Sequence, residues 1–242
     1  MRLPDFLGIG AQKGGTTYLH GLLKCHPQLF LATPKEQQFF SLHWQRGVAW
    51  YSNQFESAGL HQCCGEITPY YLFHPEAPKR IHALHPTVKL IVLLRDPVER
   101  TLSQYFHSRR LGLETLELEA ALDAEAERLD GSETELAAGH SHQSHQQHSY
   151  LSRSRYEEQL DRYLKYFPPS QLLVLSSESM FACPQNSWAQ VLDFLELDQL
   201  PVPEVPPMYV GEGESQTVDP LIKSRIRQQL ASTYAWMAEV ML

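Results

Sequence analysis

FLGIGAQKGGTT, residues 6–17, is the stretch on which the fold turns. An apolar run closes on Gly8 and Gly10, a Lys-Gly-Gly-Thr-Thr turn follows, and the spacing of Leu19, Leu22 and Leu23 predicts a helix over 16–25. A strand, a glycine turn and a helix N-terminus make an anion cradle. The first N–H groups of the helix have no intrahelical acceptor, and the helix dipole favours negative charge there. Lys13 adds a full positive charge, and Thr16 and Thr17 add hydroxyl donors. Gly14 and Gly15 lack a Cβ and let the backbone approach the anion. The spelling departs from the nucleotide triphosphatase loop, G-x-x-x-x-G-K-S/T, in which the lysine follows the last glycine. Here Lys13 precedes both glycines and enters the loop from a different point.

Outward from this turn, strands and helices alternate. QCCGEIT at 62–68 reads as a short strand and 76–85 as a helix. VKLIVLL at 88–94 is a continuous β-branched and leucine run, as in a strand buried on both faces of a parallel sheet. Asp96-Pro97 then opens a helix, with Asp as N-cap and Pro at the first helical position, running to about Leu111. An acidic helix is expected over 115–130. The polar stretch 131–149, with four histidines between 140 and 148, is expected as a mobile, solvated loop rather than a metal site. Tyr156, Leu160, Tyr163, Leu164 and Phe167 share a helix face. QLLVLSS at 171–177 reads as a strand, and Trp188, Val191, Leu192 and Leu195 line the next helix. A Pro/Gly-rich loop over 198–218 precedes a last helix over 219–241, with Ile222, Ile226, Leu230, Tyr234, Met237 and Met241 at helical spacing. The alternation predicts an α/β class: a central parallel sheet flanked by helices, with ligands at the carboxyl ends of the strands.

Composition narrows the partners. With 242 residues, one domain over 1–242 is expected, and 43% hydrophobic residues suffice for a full core. A net charge of −8 argues against non-specific nucleic-acid binding, because polyphosphate backbones attract basic proteins. Cys63 and Cys64 are adjacent, Cys25 and Cys183 are distant, and no zinc spacing appears. Reduced thiols and a cytoplasmic setting are the expectation. No segment reads as a signal peptide or membrane span, and a removed anchor stays open.

The second informative stretch is LLRDPVERTLSQYFHSRR at 93–110. Arg95 sits where the buried strand meets the helix, and Ser103 lies about two turns into it. Together they suit a dianionic phosphate. Arg100, Ser103, His107 and Arg110 share one helix face. Arg100, His107 and Arg110 are expected on a solvated or partner-facing side.

The order Gln-Lys-x-Gly-Thr-Thr after a strand resembles the 5′-phosphosulfate loop of sulfotransferases that use 3′-phosphoadenosine 5′-phosphosulfate (PAPS). Arg-Asp-Pro followed by Arg and Ser-x-Tyr resembles their 3′-phosphate motif. KEQQFF at 35–40, GVAWYSNQF at 47–55, GEITPYYL at 65–72, and RYEEQLDRYLKYFPPSQLLVLSSESM at 155–180 with VLDFLEL at 191–197 are similar, in order, to segments of the heparan sulfate and bacterial carbohydrate-type members.

The resemblance implies a P-loop NTPase-like sulfotransferase fold and transfer of a sulfuryl group from PAPS to a hydroxyl acceptor, a glycan, lipid or small molecule, with no metal required. It implies Glu36 as general base and Lys13 as the group facing the leaving 5′-phosphate. Gln12, Lys13, Gly14, Gly15, Thr16 and Thr17 surround the 5′-phosphosulfate, and Arg95 and Ser103 hold the 3′-phosphate. Lys35, His43, Glu66, Thr68, Tyr70 and Tyr156 are the implied acceptor-side residues; Glu66 and His43 are also second-choice acid/base groups, and Tyr156 can lie near either ligand.

Two departures stand out. Ile67 replaces a lysine of the heparan enzymes, and the acidic GEGESQT at 211–217 stands where the family has a basic Lys-Gly-Arg loop, leaving Lys223, Arg225 or Arg227 as substitutes. A P-loop nucleotide kinase and a non-catalytic nucleotide-binding module remain the alternatives.

Overall fold

A computed structural model describes residues 1–206 and 213–240. The chain, expected as one domain, falls into two compact units: Met1–Leu94 with Arg162–Tyr209, and Arg95–Asp161 with Val210–Leu242.

The first unit begins β1 (Phe6–Gly10), α1 (Thr16–Lys24), β2 (Leu29–Leu31), α2 (Gly47–Asn53), β3 (Cys63–Ile67), α3 (Tyr70–Phe73), α4 (Ala77–Leu84) and β4 (Lys89–Leu94). The second unit follows with α5 (Pro97–Arg110), α6 (Leu118–Asp123), α7 (Glu125–Leu129), α8 (Ser132–Ala137) and α9 (Gln143–Gln147). Inside α10 (Tyr156–Leu164) the chain passes back to the first unit, which closes with β5 (Leu172–Ser176), α11 (Ser177–Ala182) and α12 (Pro184–Leu195). Helices α13 (Pro220–Gln229) and α14 (Ala231–Val240) belong to the second unit.

The sheet has five parallel strands in the order β2-β3-β1-β4-β5. β1 lies between β3 and β4, with Phe6 opposite Gly65 on one side and Lys89 on the other. The uninterrupted apolar run of β4 has its reason here: Ile91 and Leu93 join the core under α1 and α12, while Leu90, Val92 and Leu94 are buried as well. Leu19, Leu22 and Leu23 of α1 and Trp188, Val191 and Leu192 of α12 pack in that same core with Phe6 and Leu175.

The second unit has its own core. Val98, Leu102 and Tyr105 of α5 meet Leu118, Ala121 and Leu122 of α6, together with Tyr150, Ile226 and Leu230. The start of α5 is as the sequence indicates: Asp96 is the N-cap, its carboxylate accepts from the Glu99 N–H at 3.0 Å, and Pro97 follows.

Three stretches differ from expectation. The acidic 115–130 segment is two helices broken at Ala124, and the carboxylate of buried Glu125 accepts the N–H groups of Leu151 and Ser152 at 2.7 and 2.8 Å. The expected 131–149 loop carries α8 and α9. His142 caps α9 by accepting the His145 N–H at 3.1 Å. The buried Arg153 guanidinium donates to Ser149 Oγ and to the carbonyls of His145 and Gln146 at 2.8–2.9 Å. The last helix is two, broken at Leu230. Met241, Gly211 and Glu212 lie outside the described residues.

Candidate functional site

The glycine-rich loop in the first unit, the expected anion cradle, is built largely from backbone. β1 ends at Gly10, the Ala11 N–H donates to the Leu93 carbonyl at 2.9 Å, and the Gly14 N–H donates to the Ala11 carbonyl at 3.0 Å. Gly15 is the N-cap of α1 at φ +91, and its carbonyl accepts from Tyr18 and Leu19 at 3.0 and 3.2 Å. A Cβ on Gly14 would run into the Leu93 carbonyl oxygen, and one on Gly15 would stand 3.0 Å from the Phe181 ring. Both glycines are therefore demanded by geometry, one by crowding and one mainly by its left-handed backbone. Ser177 Oγ donates to the Gly14 carbonyl and pins the loop from α11.

Lys13 takes a left-handed backbone at φ +68, uncommon for a residue with a side chain. No acidic residue occupies the first turn of α1. Thr16 is buried, whereas Gln12, Lys13 and Thr17 are half-buried.

Glu36 lies in the turn after β2. Its side chain is 42% exposed and pairs with the Lys35 ammonium at 2.9 Å, and Gln38 Nε2 donates to it at 3.3 Å. Glu36 and Gln38 both have left-handed backbones, at φ +67 and +55. Such strain in residues with side chains gathers at functional sites. His20 on α1 feels this cluster: burial, then the Lys35 and Lys24 charges, lower its pKa to about 4.

Of the acceptor-side residues, His43 stays half-buried with its ring edge-on to Trp50 at 5.8 Å, and Lys35 is held by Glu36. Glu66, Thr68 and Tyr70 are buried. Glu66 accepts from the hydroxyls of Tyr51 and Tyr71 at 2.8 and 2.7 Å, and Thr68 Oγ1 donates to it at 2.7 Å. Glu66 and Thr68, implied as acceptor-side residues, are thus enclosed, their side-chain oxygens taken up by one another and by the two tyrosines. Burial pushes the Glu66 carboxyl up, against hydrogen bonds that pull it down.

The second unit holds the other motif. Arg95 follows β4 directly in the chain, its side chain one-third exposed and 4.0 Å from Glu99. Glu99 also takes the Lys223 ammonium at 3.0 Å. Arg225 pairs with Asp123 and Glu119, and the Arg227 guanidinium lies 3.9 Å over the Tyr234 ring. Lys223 is thus the one among those three basic candidates bonded to the carboxylate that faces Arg95.

Ser103 is half-buried on α5. Arg100 corrects its expectation: it is fully buried, donating to Gln104 at 2.8 Å, to Ser154 Oγ at 2.5 Å, and to the Tyr150 carbonyl. Burial lowers its pKa to about 10. Arg110 pairs with Glu214. Tyr156 is also fully buried, and its hydroxyl donates to the Arg95 carbonyl at 3.0 Å. It therefore supports the backbone at Arg95. Sequence reasoning did not single out this support. A tyrosine opening a helix gives no sign of which distant carbonyl it meets.

Residues 3–223 match the family model described as sulfotransferase domain. The chain is 34% identical to human heparan sulfate glucosamine 3-O-sulfotransferase 6, an alignment covering 82% of this chain and 54% of that protein. It is 28% identical to membrane-associated sulfotransferase kil1 of Dictyostelium discoideum, over 88% of this chain and 60% of that one. Among solved structures, a sulfotransferase from Alicyclobacillus acidocaldarius superposes with a TM-score of 0.74 at 25% identity, covering 96% of both chains. The chain spans about half the length of the heparan sulfate relatives it matches. The cytoplasmic expectation is overturned by this company, which includes a protein named as membrane-associated. Among the described residues no helix is long and apolar enough to cross a membrane.

Proposed function

This chain belongs to the sulfotransferase domain family, and we propose that it transfers a sulfuryl group from PAPS to a hydroxyl- or amine-bearing acceptor, with a glycan as the favoured class. The carrying observation is the glycine-capped loop at the start of α1, its Lys13 placed ahead of both glycines, within a family match over residues 3–223. The glycan class is supported by the heparan sulfate glucosamine enzymes among the relatives.

The residues present fit PAPS. The Gly14 position excludes a Cβ, the first turn of α1 has no carboxylate, and Lys13 supplies the cation. When bound, PAPS supplies the sulfuryl group and carries the leaving electron pair away on its 5′-phosphate. Lys13 and the α1 N-terminus stabilise negative charge developing on that phosphate; fixed donors aimed at developing charge need no reorganisation during reaction. Arg95 and Ser103 bind the 3′-phosphate, and Lys223 adds charge beside Arg95 in place of the missing basic loop. Glu36 accepts the proton of the acceptor oxygen or nitrogen as that atom bonds to sulfur. General-base help of this kind contributes about 10²–10⁴-fold. Lys35, bonded to Glu36 at 2.9 Å, orients the carboxylate. As in phosphoryl transfer, positioning and electrostatics carry most of the work.

The experiment is transfer of labelled sulfate from PAPS to a panel of glycans, lipids and small alcohols, with and without EDTA. Transfer to at least one glycan supports the reading. Binding of ATP without binding of 3′-phosphoadenosine 5′-phosphate, or a strict magnesium requirement with phosphate transfer, overturns it.

A further inference from the structure

The chemistry above gives the buried carboxylate of Glu66 no part. Glu66 on β3 is 2% exposed. Tyr51 and Tyr71 donate to its Oε1, Thr68 donates to its Oε2, and the backbone of Gln37 hydrogen-bonds to it too.

The network reaches the turn that carries Glu36. Thr68 Oγ1, its own proton given to Glu66, accepts the Gln38 N–H at 3.3 Å. The Tyr71 oxygen accepts the Phe40 N–H at 3.4 Å. Arg80 holds the carbonyls of Phe40 and Ser41 at 3.0 and 3.1 Å. Phe39 stacks on the ring of Tyr51 at 4.2 Å. Gln37, Gln38 and Phe40 are therefore each tied to Glu66, directly or through one hydroxyl.

The turn needs such ties. Left-handed backbones at Glu36 and Gln38 persist only where the surroundings over-determine them. An ionised carboxylate only accepts, so it can receive several donors at once. An amide in its place presents an NH₂ group at one of the two oxygen positions and reverses part of the relay.

We propose that Glu66 is a positioning residue: through Tyr51, Thr68, Tyr71 and the Gln37 backbone, it holds the 35–40 turn in the shape that presents Glu36 to the acceptor. This rests on the reading of Glu36 as the base. Glu66 exchanges no proton with the acceptor; it sets where the exchanging carboxylate stands.

The test is Glu66→Gln in the full chain, read by steady-state kinetics and by amide hydrogen exchange. A shift of the base by an ångström costs about 10²-fold in rate. The expected result is a kcat lowered by about that factor with an unchanged KM for PAPS, and faster exchange over 35–40 with unchanged exchange over 12–17. Tyr71→Phe, which removes a single donor, gives a smaller change in the same direction, and it carries the test if Glu66→Gln does not fold. Unchanged kcat with unchanged exchange over 35–40 overturns the proposal. So does a rate loss no larger than the loss of folded protein. If the wild type transfers sulfate to no acceptor, the reading of Glu36 fails by itself. Exchange then decides on Glu66: faster exchange over 35–40 supports the tie, and unchanged exchange overturns it.

Discussion

Glu36 and Glu66 are the same side chain in the same unit, and their surroundings suit them to opposite work. Glu36 stands on a strained turn, partly open to solvent, and its partners are the flexible Lys35 ammonium and the Gln38 amide. Glu66 is enclosed on β3 and receives three hydroxyls and a backbone group. A carboxylate that must gain and lose a proton needs room and a movable partner. One that must hold a loop needs fixed donors on every side. Environment, not residue type, assigns the role.

The comparison breaks first at Glu36. Glu36→Gln is expected to lower kcat by about 10²–10⁴-fold while leaving the affinity for 3′-phosphoadenosine 5′-phosphate and the melting temperature as in wild type. Near-normal turnover would remove Glu36 as base. Lys13→Ala is expected to take most turnover as well, but with weaker cofactor binding, which calorimetry separates from the Glu36 result.

Next in size is Glu66→Ala. It orphans buried donors, at about 1–3 kcal/mol each where no water replaces the carboxylate. Urea unfolding should show a clear fall in midpoint. A midpoint as in wild type would mean that the hydroxyls find other acceptors and that the enclosed carboxylate carries no structural load.

A third carboxylate, in the second unit, sharpens the contrast through pH. Burial pushes the Glu114 carboxyl up, but the Arg128 guanidinium, the Leu116 N–H and the Tyr150 hydroxyl outweigh it and hold the pKa at about 2, against an ordinary 4.5. A depressed native pKa stabilises the fold at pH above the unfolded value. That stability is lost as pH falls from about 4.5 through about 2. Unfolding free energies measured across that window should fall less steeply for Glu114→Gln than for wild type; equal slopes would refute the assignment. At Glu66 the balance is reversed: burial raises the carboxyl, and its hydrogen bonds from Thr68, Tyr71, Tyr51 and the Gln37 backbone oppose that rise.

The smallest expected effect is at Tyr156. Removing its hydroxyl in Tyr156→Phe deletes one hydrogen bond to the Arg95 carbonyl, worth about 0.5–1.5 kcal/mol. A modest rise in the KM for PAPS with kcat intact would place the residue behind Arg95. A kcat loss with KM intact would return it to the acceptor side.

Much of the frame was legible without coordinates. Gly14 and Gly15, the apolar run of β4 and the Asp96-Pro97 helix start each obey a local rule, so the strand–loop–helix and the α5 start follow from neighbours in sequence. The misreadings share a different cause. Arg100 was expected on a solvated or partner-facing side of α5, yet it is buried against Gln104, Tyr150 and Ser154. The 131–149 segment reads as a loop because its histidines and glutamines lack an apolar period. It is organised instead by Arg153, whose donors find carbonyls there.

By itself the sequence determined the parallel α/β frame and the glycine-rich loop with its displaced lysine, because these rest on periodicity, capping and glycine geometry within a few residues; the family showed in the resemblance of several motifs in order. Only the tertiary structure decided which carboxylate is open and which enclosed, that Tyr156 backs the Arg95 carbonyl, and that Lys223 shares Glu99 with Arg95. Those facts depend on which polar groups must find partners once residues distant in the chain are buried together, and an unpaired buried polar group costs too much for the answer to be left to local preference.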